Sequence, residues 1–217
     1  MTKTMNAGKL RAFCEVLQYS ENDWKPMYTA YSAYKRQQRV IYSRHAAAAP
    51  GAQFLMRETG IDRHMAIRYD GKLHLVTEIE PVERGFITAT AAEVYPVRLM
   101  GFRKEITQGT LNRPITTDER ITPFWGVIAE KYVRAEQEAP QSEITTALIL
   151  TTPKSVVLKP GDRLTSKGTE YDCHFDPDNR EGAWDMRNTD MDYRVTYSYA
   201  NTDKYRNDYE IVREDEA

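Results

Sequence analysis

A two-residue turn between two alternating segments is the strongest constraint on how this chain folds. Asp70-Gly71 separates residues 64–69 (HMAIRY) from residues 72–79 (KLHLVTEI). Glycine tolerates the positive φ that such turns require, so the pattern predicts two antiparallel strands joined as a hairpin. In the second strand, Leu73, Leu75 and Ile79 are predicted to share one side.

Other segments are also β-prone, and together they predict a mainly β fold. Residues 10–18 fit a strand or a short helix, and AAAAPGA is read as a loop or one helical turn because Pro50 and Gly51 stop a helix. The 14 tyrosines suit sheets and protein interfaces, where the ring packs and the hydroxyl stays wet. The remaining predicted strands are residues 53–58, 86–100, 143–152, 155–158 and 193–199.

Similar features follow one another in the same order in the two halves. Identity is low, so a loose alignment of two unrelated β-rich segments is the alternative to duplication. Duplication predicts two tandem antiparallel β-barrel or β-sandwich modules with long loops, residues 1–100 and residues 101–217, the second with an acidic tail. Each module would bury its own small core, with a connection near residues 98–112. The matched features are Trp24 with Trp125, Gly71 with Gly168, and the strand through Val94 and Tyr95 with that through Val195 and Tyr197.

Bulk composition excludes several classes of protein. The 30 basic and 32 acidic residues give a net charge of −2, so there is no general attraction to a polyanion. Cys14 and Cys173 have no CxxC or Cys/His spacing, so neither a disulfide framework nor a structural zinc site is expected. The first residues lack the apolar core of a signal peptide, and apolar runs fall far short of the about 20 residues that span a bilayer. We expect a soluble intracellular protein without a membrane partner.

No catalytic or cofactor motif is present. The chain has no GxGxxG, GxxxxGK[ST], HExxH or GxSxG sequence, and so we expect neither an enzyme nor a cofactor. His64 and His74 would face each other across the predicted hairpin, but two ligands do not make a metal site. The five aspartates of residues 176–192 match no EF-hand and are read as a solvated loop rather than a calcium site.

A basic patch interleaved with tyrosine is the main candidate contact surface. It suits either binding of phosphate groups with stacking on bases, or one half of a salt-bridged subunit contact. We favour the subunit contact because acidic segments elsewhere complement it. The patch consists of Tyr34, Lys35, Arg36, Arg39, Tyr42 and Arg44.

Short sequence motifs in the first half of the chain resemble those of one protein family. The segment NAGKLR at residues 6–11, a Trp about a dozen residues later, and IRYDGKLHLV resemble the head-closure proteins of long-tailed bacteriophages, also called stoppers or head-tail joining proteins. The likeness covers residues 6–100, and WGVIAEKYVRAEQE and LKPGDRLTSKGTEYDC repeat it more faintly. Members of that family are usually single modules of about half this length. Ser32-Ala33 also stands where a Trp-Ala pair is often seen.

The resemblance implies a structural virion protein of the head-tail junction, made in the host cytoplasm. It implies a small β-barrel assembled as a homo-oligomeric ring, sixfold or twelvefold, with a portal or adaptor protein above and a tail terminator or tail tube protein below. Packaged DNA would pass through the channel, towards which a loop at roughly residues 35–51 would point, with residues 131–143 as its counterpart. Lys131 and Arg134 join the basic patch as channel or subunit-contact candidates.

The alternative function is a β-rich carbohydrate- or ligand-binding module of a phage baseplate or receptor-binding device. Clusters of Tyr and Trp with nearby Asp suit stacking against sugars. This alternative predicts a concave aromatic pocket.

Overall fold

The fold is mainly β, as predicted. The computed structural model describes residues 10–45, 47–82, 85–108, 114–130, 148–166, 191–199 and 203–214. These ranges contain twelve β-strands in two closed antiparallel barrels. Nowhere in these ranges is there a helix with the length and apolar character required to traverse a bilayer.

The first barrel is formed by β1 to β6. Its strands are arranged in the order β1-β2-β3-β6-β5-β4, and the pairing of β4 with β1 closes it. The strands are β1 (Ala12–Ser20), β2 (Asp23–Ile41), β3 (Ala48–Arg57), β4 (Met65–Tyr69), β5 (Lys72–Val82) and β6 (Phe86–Val94).

The second barrel repeats this connectivity with every strand six places later. Its order is β7-β8-β9-β12-β11-β10, and β10 pairs with β7 to close it. The strands are β7 (Val97–Gln108), β8 (Pro114–Glu130), β9 (Leu148–Pro153), β10 (Arg163–Ser166), β11 (Met191–Ser198) and β12 (Arg206–Arg213).

A β-bulge occupies the same place in both barrels. The pairing of β5 with β6 shifts at Thr77, and the pairing of β11 with β12 shifts at Thr196. The Thr77 hydroxyl donates to the carbonyl of Thr90 at 3.0 Å, and the Thr196 hydroxyl donates to the carbonyl of Glu210 at 3.1 Å. In each case the acceptor residue pairs with the residue that follows the bulge. Shared bulges are typical of related folds, so this detail supports duplication.

The structure corrects the alignment of the two halves. Strand β2 changes partner from β1 to β3 between Ser32 and Ala33, and β8 changes from β7 to β9 between Gly126 and Val127. Trp125 is therefore equivalent to Tyr31. Trp24 lies at the opposite end of its strand, beside the β1–β2 turn. The match of Val94 with Val195 also fails, since they lie on β6 and β11.

The connection between the barrels is shorter than predicted. Strand β7 takes up residues 97–108, so the part of the predicted 98–112 connection that is described belongs to the second barrel. Only Tyr95 and Pro96 separate β6 from β7. A shift in pairing between Leu99 and Gly101 breaks the alternation that a regular strand would show, which explains the misreading.

The predicted hairpin is present, but one residue of its second strand faces the other way. Asp70 and Gly71 have φ of 51° and 73°, as a two-residue turn requires. Leu73 and Leu75 share the outer side of β5 as predicted, whereas the bulge at Thr77 turns Ile79 towards the barrel interior.

Of residues 10–18, those from Ala12 onwards form strand β1 rather than a helix, and most of the AAAAPGA segment is strand rather than loop, because β3 begins at Ala48. Pro50 is tolerated there since it lies beside the bulge between Gln37 and Val40, where β3 pairs with β2 alone.

Each barrel encloses an apolar interior. The first is filled by Cys14, Val16, Ala52, Phe54, Met56, Ile61, Ile67, Val76, Ile87, Ala89 and Ala91. The second is filled by Leu99, Phe124, Leu148, Leu150, Val156, Leu158, Leu164, Tyr193, Val195, Tyr209 and Ile211.

Candidate functional site

A third apolar cluster lies between the two barrels and joins them. The first barrel contributes outward-facing residues of β1, β4, β5 and β6, and the second contributes Val127 of β8 and Ile149 of β9. The two barrels therefore share a third core in addition to the core inside each barrel. The buried members are Leu17, Tyr42, Ala47, Ala66, Leu73, Leu75, Ala92, Val94, Val127 and Ile149.

Asp208 is the polar centre of this junction. Its carboxylate is 2% exposed and accepts hydrogen bonds from the Ser43 hydroxyl at 2.7 Å and the Thr151 hydroxyl at 2.8 Å. Ser43 lies between β2 and β3 of the first barrel, so the carboxylate bridges the modules. Burial raises the pKa of nearby Tyr42, and the charge on Asp208 raises it further.

Arg206 makes a second polar link from β12 to the first barrel. Its guanidinium donates to the carbonyl oxygens of Val76 at 2.6 Å and Arg63 at 3.0 Å. Burial lowers the pKa of Arg206 to about 10, so the group remains charged at neutral pH. Both bonds reach the backbone of the first barrel, so this arginine ties β12 to β5 and to the segment before β4.

A cleft of about 210 Å³, the junction cleft, opens beside this network. The Tyr19 and Trp24 rings meet edge to face at 5.2 Å, and His64 meets Tyr205 at 4.8 Å. Among the described residues no carboxylate lines the cleft. Its lining consists of Gln18, Tyr19, Trp24, His64, Leu73, Leu75, Pro96, Trp125, Gly126, Val127, Thr151, Thr152, Pro153, Lys154, Ser155, Tyr205 and Arg206.

The aromatic lining is held by a contact between the barrels. The backbone N–H of Trp125 donates to the Tyr19 hydroxyl oxygen at 3.2 Å. Burial raises the pKa of Tyr19. The Arg98 guanidinium lies 5.9 Å from the centre of the Trp125 ring, a distance suited to a cation–π contact. The cleft thus combines flat apolar surfaces with cationic and hydroxyl groups, a combination that suits small ligands.

The predicted basic patch does not form a single loop. Tyr34, Lys35, Arg36 and Arg39 lie on β2, and only residues 42–47 connect β2 to β3. The prediction of a loop at 35–51 was therefore wrong. Charged residues suit this stretch of β2 because it extends past its pairing with β1 and is solvent-exposed.

The two tyrosines and Arg44 of the patch make separate contacts. Tyr34 stacks on Tyr69 at 4.7 Å and tilts against Phe54, whereas Tyr42 is buried in the shared core. Arg44 forms an ion pair with Asp203 of the second barrel at 3.6 Å. Lys131 and Arg134 lie outside the described residues, as does the whole of the counterpart segment 131–143.

The two histidines considered for metal binding do not face each other. The residue opposite His74 on β4 is Ile67, and His64 instead contacts Tyr205 of the second barrel. No group of three or more potential metal-ligating side chains occurs in the part of the chain that is described. Of the five aspartates in 176–192, only Asp192 is described, and it accepts a hydrogen bond from Thr165.

The sequence carried a signal for the junction. LILTT at residues 148–152 and LHLV at residues 73–76 are continuous runs buried on both sides of their strands. Such runs indicate a strand covered on both faces. The polar residues Ser43 and Asp208 carried no comparable signal.

Comparison with known proteins gives no family: no family model, no curated protein and no solved structure matches this chain significantly.

Proposed function

We propose that this chain is a structural virion protein of the head-tail connector of a tailed phage. It forms a ring below the portal, closes the DNA-filled head and docks the tail. The observation that carries the proposal is the pair of barrels with identical connectivity, joined through a shared core. The resemblance of residues 6–100 to head-closure proteins supplies the location.

Fixed pairs of similar modules suit a junction between rings of different symmetry. Six chains would present twelve similar barrels, which suits contact with a twelvefold portal on one side and a sixfold tail on the other. The shared core keeps the spacing of the two barrels constant, so both are offered to neighbours in one defined arrangement.

The exposed basic residues of β2 suit the lining of a DNA channel. Lys35, Arg36 and Arg39 are exposed along one strand. A conduit must contact phosphate without holding it, and the balanced net charge of −2 avoids general tight binding.

Native mass spectrometry of the chain mixed with the portal protein tests this proposal. We expect a ring of six chains that binds the portal and, once bound, a tail terminator or tail tube protein. A ring of twelve chains would refute the sixfold arrangement, and absence of portal and tail binding would refute the function. Portal and major capsid genes upstream, with tail genes downstream, would provide independent support.

A second candidate, a carbohydrate- or ligand-binding module, is favoured by the junction cleft. Tyr19, Trp24 and Tyr205 provide ring faces for stacking, with hydroxyl and cationic groups nearby. Glycan screening followed by NMR titration tests it, with Trp24→Ala expected to lose binding and Val157→Ala, at an exposed residue that does not line the cleft, to retain it. No binding by the wild-type chain would reject this candidate.

A further inference from the structure

The contact between the barrels joins two different faces. We call the outer side of the first barrel at Leu17, Ala66 and Leu75 the Leu75 face. The outer side of the second barrel at Trp125, Val127 and Ile149 is the Trp125 face. Leu75 packs with Val127 and Ile149 in the shared core, and it lines the junction cleft with Trp125. A contact between unlike faces is heterologous, so each barrel retains the counterpart of the face that the other uses.

The counterpart of the Trp125 face on the first barrel is exposed and aromatic. Tyr31 is equivalent to Trp125, and its cross-strand partner Phe13 is equivalent to Arg98. Phe13 and Tyr31 are 53% and 61% exposed and meet edge to face at 5.5 Å, whereas Trp125 is 8% exposed beneath the first barrel. We call this surface, with Ala33, the Tyr31 face. An exposed aromatic pair in the middle of a sheet is typical of an interface.

The counterpart of the Leu75 face on the second barrel carries two arginines beside Phe102, which corresponds to Leu17. Counting back from the equivalent bulges at Thr77 and Thr196, Leu75 corresponds to Arg194. Their partners on the neighbouring strands, Ala66 and Arg163, correspond as well. We call this surface the Arg194 face.

Two arginines share one carboxylate on this face. Arg194 and Arg163 both form ion pairs with the Oε1 atom of Glu214, at 2.9 and 3.2 Å, and about half of each arginine side chain is exposed. Glu214 is the one carboxylate paired with these two guanidinium groups among the described residues, so that part of the face carries more positive than negative charge.

We propose that the Tyr31 face of one chain binds the Arg194 face of a second copy of the same chain. This contact repeats between chains the arrangement that joins the two barrels within one chain. Guanidinium groups over exposed aromatic rings form favourable cation–π contacts, and within this chain Arg98 already lies over Trp125 at 5.9 Å. The inference rests on the proposed ring-forming role and names the surfaces that would build the ring.

Two variants that each remove one face test the contact. Tyr31→Lys places a cation opposite the arginines, and Arg194→Ala removes a cation from the opposite face and leaves Arg163 paired with Glu214. Each variant alone is expected to be monomeric by native mass spectrometry and sedimentation velocity. An equal mixture is expected to form a one-to-one heterodimer and nothing larger, because each chain then retains one different intact face. Val157→Lys, a substitution at a residue as exposed as Tyr31 (61%) in the connection between β9 and β10, is expected to assemble like the wild type.

Three outcomes with the variants would overturn the proposal. They are wild-type assembly in both variants, a mixture that stays monomeric, and loss of assembly in Tyr31→Lys with full assembly in Arg194→Ala. The last result would indicate a symmetric aromatic contact. A monomeric wild-type chain would also overturn it, and thermal melting would verify that each variant is folded.

The proposed function and this inference fail differently. If both variants still form rings that bind the portal, the function stands and these faces are wrong. If the complementation succeeds but no ring binds the portal or a tail protein, the faces stand and the connector role is wrong.

Discussion

The Ser43 hydroxyl donates a hydrogen bond of 2.7 Å to the Asp208 carboxylate, joining residues that are 165 positions apart in the sequence. Ser43 belongs to the short connection between β2 and β3, and Asp208 to the strand β12 of the other barrel. The carboxylate is buried, and Thr151 donates to its second oxygen. A buried charge is tolerated only when such donors satisfy it, so this triad fixes how one barrel sits against the other.

Asp208→Asn is expected to destabilise the protein by about 1–3 kcal/mol. An amide keeps the shape of the carboxylate, but its NH₂ group cannot accept a bond from either hydroxyl. The midpoint of urea unfolding measures the loss. Asp192→Asn, at an exposed aspartate that also accepts a threonine hydroxyl, is expected to change stability by less than about 0.5 kcal/mol. Equal effects of the two substitutions would show that Asp208 has no special role in joining the barrels.

Leu75→Asp is expected to uncouple the barrels without emptying either interior. Leu75 is 3% exposed and faces outward from β5 into the shared core, so a carboxylate at this position would lose its hydration. We expect the wild type to unfold in a single calorimetric transition and Leu75→Asp to unfold in two. Leu164→Ala, which opens a cavity inside the second barrel, should cost about 2–5 kcal/mol. Leu164→Ala is expected to shift the calorimetric transition of the protein without splitting it as Leu75→Asp does. A single sharp transition in Leu75→Asp would contradict the coupling role of the shared core.

Stability is expected to fall in mild acid because of His74. Burial lowers the pKa of His74 from its ordinary value of 6.5, and the charge on Glu93 only partly opposes this. The unfolded chain therefore binds a proton more readily than the folded chain. The contribution of neutral His74 to the free energy of unfolding is fully present above pH 6.5. It is lost as the pH falls from there towards the folded-state pKa. His74→Gln should flatten this part of the pH dependence of urea unfolding, whereas Val157→Ala, at an exposed residue without a titratable group, should leave it. An unchanged slope in His74→Gln would assign the effect to another group.

Gly126→Ala is expected to destabilise the second barrel by about 1–3 kcal/mol through overpacking. A Cβ at this position would lie 2.6 Å from Cδ1 of Leu150 and 3.3 Å from Cδ1 of Leu99. The pair Gly126→Ala and Leu150→Val provides the control, because removing a methylene from Leu150 relieves the closest contact. The two changes together should cost less than the sum of their separate effects in chemical denaturation. Strict additivity would show that Leu150 is not the obstacle.

The sequence predicted the parts of the fold that depend on local rules. The Asp70-Gly71 turn, the alternation at Leu73 and Leu75, and the mainly β character are all present because turn chemistry and side-chain period act over a few residues. The same local rules fail at Ile79, because one extra residue in the strand reverses which side of the sheet the following side chains face.

Equivalence between the halves required the pairing pattern. Trp24 and Trp125 are the same residue type but lie at opposite ends of their strands. Tyr31 and Trp125 differ in residue type but are structurally equivalent. Once one barrel covers the face of the other, the residues on the two copies of that face experience different selection. Tyr31 stays exposed and Trp125 is buried, so matching letters is a poor guide to the register.

The two residues between β6 and β7 restrict how copies of this chain can combine. Tyr95 and Pro96 reach only about 7 Å when extended, so the ends of β6 and β7 stay close together. Exchange of barrels between chains, a common route by which duplicated modules form tangled dimers, would have to open the shared core of each molecule, and that core therefore opposes it. With this core closed, every molecule brings its pair of barrels to an assembly as one preformed piece, and chains bearing different substitutions are expected to mix without trading halves.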